Sequence, residues 1–71
     1  MSIVKIFAER LKALRAEKNI SMRQLGKVVG LDHKSIWQYE NGISEPKQET
    51  LIKLADYFGV TTDYLLGRVD I

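Results

Sequence analysis

The chain has 71 residues, no cysteine, one histidine and a formal net charge of +2, so it has room for one small domain held by packing, without disulfides or thiolate metal sites. Charges at Lys5, Glu9, Arg10 and Lys12 break up the apolar residues near the N-terminus, which speaks against a signal peptide or membrane span there and leads us to expect a soluble, cytoplasmic protein. Residues 1 to 44 carry eight Lys and Arg against four acids, and residues 45 to 71 carry three against five; the basic first part suits a polyanion partner or ordinary solvated helix faces.

No stretch alternates at period two, no repeat is visible, and Gly30, Gly42, Pro46, Gly59 and Gly67 punctuate the chain. Phe7, Leu11 and Leu14 recur at helical spacing, with Ile3 or Val4 one turn earlier, and predict a first helix over residues 3–18. "SMRQ" opens the second: Ser21 caps the first turn while Gln24, three residues on, reaches back, and Gly30 stops a short helix over 22–29. Asp32 is the next cap and Gly42 the next stop, giving a third helix over 33–40. Pro46 precedes "QETLIKLADYF", whose Leu51, Leu54, Ala55 and Phe58 form an apolar stripe over 48–58, ended by Gly59. Thr61 then caps and Gly67 stops a short fifth helix over 62–66. The expected fold is all-α, a compact five-helix bundle forming a single domain over 1–71.

The junction between the second and third helices carries the most information. Only "GLD" separates them, which predicts a steep crossing. Gly26 offers a place without a side chain, while Leu25, Val29, Leu31, Ile36 and Tyr39 supply apolar contacts. A helix-turn-helix needs this pattern, although a purely structural αα-corner satisfies it too. On a wheel of about 100° per residue starting at His33, Ile36 and Tyr39 fall at roughly 300° and 240°, facing a core. His33, Trp37, Asn41, Lys34 and Gln38 occupy the arc from roughly 0° to 140°. In a major groove, Gln pairs with adenine, Lys with the guanine O6/N7 edge, and apolar atoms meet a thymine methyl.

The run from Arg15 through "ISMRQLGKVVGLDHKSIWQYENG" to "PKQETLIKLADYFGVTTDYLLG" resembles the helix-turn-helix domain of the lambda-repressor, Cro and Xre-type regulators over essentially the whole chain. The likeness rests on Leu25–Gly26, the turn "VGL", the Ile36…Glu40–Gly42 ending, Pro46, "LIKLADYFGV" and the closing "YLLG". It implies a transcriptional regulator, a repressor by type, that inserts the third helix into the major groove of a palindromic operator as a two-fold homodimer. Carried over by position, it makes His33, Lys34 and Gln38 base readers, and adds Ser21, Met22, Asp32 and Ser35 as phosphate contacts, with Arg23, Asn41 and Lys47 as further candidates. Two departures stand out: Met22 replaces a frequent phosphate-binding Gln and offers only its backbone N–H, and the loop "ISEP" is acidic where relatives often carry bases. Asp32 would repel a phosphate unless it is occupied as a cap.

Trp37 stands where relatives usually have a small or polar residue; it is expected to contact DNA, with a lateral protein contact as the alternative. Arg15 and Glu40 are expected to form a partly buried ion pair between the first and third helices, or else to be solvated separately. Tyr64, Leu65, Leu66, Val69 and Ile71 offer more apolar surface than one short helix buries. The resemblance makes them the dimer interface; otherwise Tyr64 and Leu65 close the core and the tail frays. One imidazole without cysteine, and no glycine-rich phosphate loop, leave no basis for catalysis, a metal, a cofactor or a small-molecule site. The competing function is a protein-interaction module of the same fold, as in an antitoxin or coactivator, to which an exposed tryptophan would also be suited.

Overall fold

In the computed structural model, residues 3–70 are described; they form five helices and, among themselves, no strand. Helix α1 spans Ile3–Lys18, α2 Met22–Val29, α3 His33–Glu40, α4 Gln48–Phe58 and α5 Thr62–Leu65. The last is a single turn that stops one residue short of the sequence expectation, with Leu66 as its C-cap. The side chains of Ile3 and Val4 and all of Ile71 lie outside the described residues.

Local chemistry sets these boundaries. The Gln24 N–H donates to the Ser21 hydroxyl at 3.1 Å and the Ser21 N–H donates to the Gln24 side-chain oxygen at 2.7 Å, so two donors that helix geometry leaves unpaired are satisfied reciprocally. Thr61 caps α5 through the Tyr64 N–H at 3.0 Å. At the start of α4, Lys47 makes no side-chain cap; Pro46 biases Glu45 before it away from the helical region, which keeps the preceding loop out of the helix. Asn19 ends α1 with a left-handed φ of 55°, a conformation that asparagine tolerates better than most residues.

Phe7, Leu11, Leu25, Ile36, Leu54 and Leu65 are fully buried and draw one member from each helix, two from α1. Phe7 meets Tyr39 edge to face with ring centroids 5.9 Å apart, and this contact fastens the rear of α3 to α1. Burial pushes the Tyr39 phenol upward in pKa, opposed by its hydrogen bond with Thr50 on α4. The third helix is therefore held from behind on two sides, which leaves its opposite arc facing outward.

Arg10 organises the C-terminal end. Its guanidinium donates to the carbonyls of Tyr64 and Val69, the latter at 2.7 Å, lies 4.3 Å from the Tyr64 ring centroid and approaches the Asp70 carboxylate at 3.7 Å. The segment after α5 is thus tied back onto α1 as far as Asp70.

Candidate nucleic-acid interface

The interface begins at Gly26. A Cβ there would lie 2.5 Å from the Leu31 carbonyl oxygen and 3.3 Å from the Asp32 carbonyl carbon and oxygen, so the turn runs directly against the α2 backbone. Gly30 adopts φ 77°, a left-handed conformation that costs glycine least, and the N–H groups of Gly30 and Leu31 both turn back to the Gly26 carbonyl, Leu31 at 2.7 Å. This junction fixes the start of α3 relative to α2.

At that start the Ser35 N–H donates to the Asp32 carboxylate at 2.9 Å. The bond to the Ser35 backbone holds the Asp32 carboxyl below its ordinary pKa, helped by the Ser35 side chain and then by the charges of His33 and Lys34. Because the folded value is depressed, the capping contribution is present above the unfolded pKa and is lost as pH falls through the folded one. An Asp32→Ala variant should therefore melt below wild type at pH 7, and the gap should close as the pH drops below about 4. Thermal denaturation across this range checks it; a gap independent of pH would contradict the cap.

Helix α3 presents His33, Lys34 and Trp37 to solvent, Trp37 at 47% of its full exposure, while Ile36, Tyr39 and Glu40 are buried behind them. Gln38 and Ser35 are half-buried. Both line a shallow groove toward α4 that also contains Ser44, Glu45, Lys47 and Lys53. On the other flank, His33 shares a cleft with Arg23, Lys27 and Asp32. Cations therefore stand on both sides of the exposed arc. Lys53, which the sequence reading passed over, is one of them; its exposed amine also lies 3.6 Å from Glu49 one helical turn earlier.

The expected phosphate contacts are unequal in what they have to offer. The Ser21 N–H is occupied by Gln24, and its hydroxyl accepts from the Gln24 N–H, which leaves the hydroxyl proton. The side chain of Met22 packs against the core, so its contribution is limited to backbone. Asp32 and Ser35 are engaged with each other. The Asn41 amide donates to the Trp37 carbonyl at 2.8 Å, and Arg23 and Lys47 are exposed.

Beneath the arc, Arg15 grips Glu40 in a two-point contact, Nε to Oε2 at 2.5 Å and Nη2 to Oε1 at 3.0 Å, and also donates to the Ile20 carbonyl at 2.9 Å. The Glu40 side chain is 1% exposed and that of Arg15 19%. The hydrogen bond to Glu40 pushes the Arg15 pKa upward, against the effect of burial.

The residues expected at a two-fold contact divide. Leu65 has no accessible surface and belongs to the core, so that expectation is corrected: its side chain cannot meet a second chain while the domain is closed. Tyr64 and Leu66 are half-buried, one at the Arg10 guanidinium and the other against the core, and Val69 is exposed. Ile71 lies outside the described residues.

Comparison with known proteins points the same way as the geometry. The helix-turn-helix family pattern matches residues 11–65. The chain is 39% identical over 61 residues to the SPbeta prophage-derived uncharacterized HTH-type transcriptional regulator YonR of Bacillus subtilis, covering 86% of this chain and 56% of that one. It is 40% identical over 60 residues to the HTH-type transcriptional regulator AnsR of the same organism, covering 84% of this chain and 52% of that one. The chain thus spans about half the length of these curated relatives. Among solved structures it is similar to the P22 c2 repressor protein in complex with synthetic operator 9T, with a TM-score of 0.81 and 36% identity over 83% of this chain and 89% of that one.

Proposed function

The chain belongs to the Cro/C1/Xre-type helix-turn-helix family, and from that membership we propose that it is a sequence-specific DNA-binding transcriptional regulator, a repressor by type. The observation that carries this reading is the exposed arc of α3, with His33, Lys34 and Trp37 set between the cations of α2 and those beside α4. The likeness to a repressor solved on operator DNA supports it. An eight-residue helix is about 12 Å long and fits a major groove of about that width. His33, Lys34 and Gln38 would read base edges, and Arg23 and Lys47 would meet phosphate, joined by the Ser21 hydroxyl and the Met22 N–H. We place its work in the cytoplasm, as a single DNA-binding unit.

The reading includes a two-fold dimer, with Tyr64, Leu66 and Val69 available at the C-terminal end and half-sites about one DNA turn apart. Salt dependence tests the proposal against a protein-interaction module. Affinity for DNA should fall linearly in log–log form, with a slope of about 0.9 per neutralised phosphate, and Arg23→Ala should reduce the slope by about one. Fluorescence anisotropy of a labelled duplex measures it, and a flat salt response would favour an apolar protein contact instead.

A further inference from the structure

Among the described residues, the large apolar side chains left exposed are Val28, Trp37, Ile43, Ile52 and Val69, and of these Trp37 alone lies on α3. Its neighbours at four and three residues before it, on the same face, are the exposed His33 and Lys34. The acids on α3 and at its cap are turned to other tasks, Glu40 buried with Arg15 and Asp32 holding the Ser35 N–H, while Glu45 and Glu49 lie in the groove on the α4 side. The indole is therefore an apolar surface beside the Lys34 cation and the His33 imidazole, a setting that suits a polyanion better than an apolar protein face.

We propose that Trp37 is a specificity-determining residue that recognises the C5-methyl group of a thymine in the major groove. This inference rests on the DNA-binding reading. A tryptophan offers one donor and no acceptor, and every base pair presents acceptors in the major groove, so the indole N–H discriminates poorly. The apolar face discriminates well, because the thymine methyl is the one apolar feature a standard base edge shows there. The indole is rigid apart from two torsions and gives a large contact area at small entropic cost. His33 and Trp37 are about 6 Å apart along the helix axis, about two base-pair steps, so the methyl contact would fall beside the bases met by His33 and Lys34 without displacing them.

The test uses the operator obtained by selection from random DNA, with each thymine replaced in turn by deoxyuridine, which removes only the methyl group. For wild type, replacement at one position in a half-site should weaken binding about fourfold, the effect expected for loss of one buried methyl. In Trp37→Ala, and in Trp37→Gln as a second variant, thymine and uracil at that position should bind equally, while the remaining replacements act as in wild type. Circular dichroism verifies that both variants are folded. Uracil tolerated by wild type at every position, or the same penalty in wild type and variants, would overturn the inference and leave operator binding intact, as expected if the indole lies along sugar and phosphate. Failure to select any operator would instead overturn the DNA-binding reading, and this inference with it.

Discussion

Replacing Arg15 by alanine is expected to destabilise the domain by about 3 kcal/mol, which for a chain of this size lowers the melting temperature by about 12–24 °C. The reason is asymmetry of burial. Glu40 is 1% exposed and receives both guanidinium bonds, so removing Arg15 leaves a carboxylate in the interior with its main partner gone. The Ile20 carbonyl loses its donor in the same step. The figure is set at the lower end for a broken buried pair because Arg15 is 19% exposed, and water can enter the space it vacates. Adding Glu40→Gln to Arg15→Ala should recover part of the loss, since a neutral amide is less costly than a carboxylate to leave without a partner. Thermal melts of the two variants and wild type measure both effects. If Arg15→Ala melted within about 3 °C of wild type, less than 1 kcal/mol would be at stake, and the pair would be a surface ornament rather than the tie between α1 and α3.

The second large effect is expected at Gly26. A methyl group there would sit 2.5 Å from the Leu31 carbonyl oxygen, which is backbone and has no flexible end to swing away. The turn must move off α2, at a cost of about 1–3 kcal/mol, and α3 moves with it. We therefore expect Gly26→Ala to lose stability and, at temperatures where it remains folded, to bind DNA at least about tenfold more weakly, since misplaced contacts lose well over 1 kcal/mol. Gly30→Ala is the control. A Cβ there meets nothing within 4 Å, but φ is 77°, so the substitution costs about 1–2 kcal/mol of backbone strain without forcing the helices apart. It should lower the melting temperature while leaving the affinity of the folded protein within about threefold of wild type. Equal losses of affinity in the two variants would show that helix spacing is not what Gly26 protects.

Much of this architecture was legible because it is written in short-range chemistry. The reciprocal bonds of Ser21 and Gln24, the Asp32 and Thr61 caps and the left-handed Gly30 and Gly59 each involve residues a few positions apart. The wheel for α3 put Ile36 and Tyr39 inside and Trp37 outside for the same reason, since a regular helix makes facing predictable from spacing. Leu65 reads from the sequence either as interface or as core, because a single helical turn shows no periodicity from which to tell inside from outside, and burial decides for the core. The Arg10 clasp spans 54 and 59 positions in sequence and is made to carbonyl groups, which no side-chain pattern announces. The half-burial of Gln38 and Ser35 likewise depends on where the loop after α3 and helix α4 come to rest. Lys53 joins the groove only through that same arrangement.

That the outward arc of α3 reads DNA sequence is checked by selection from a random duplex pool, with wild type run beside Gln38→Ala and Arg23→Ala. Wild type should enrich a two-fold symmetric motif whose half-sites lie about one helical turn apart. Gln38→Ala should relax the preference at a defined position in each half-site, whereas Arg23→Ala should enrich the same motif with lower affinity. Enrichment of no motif at low salt, or an unchanged motif in Gln38→Ala and in a matching His33→Ala, would show that this arc does not read sequence.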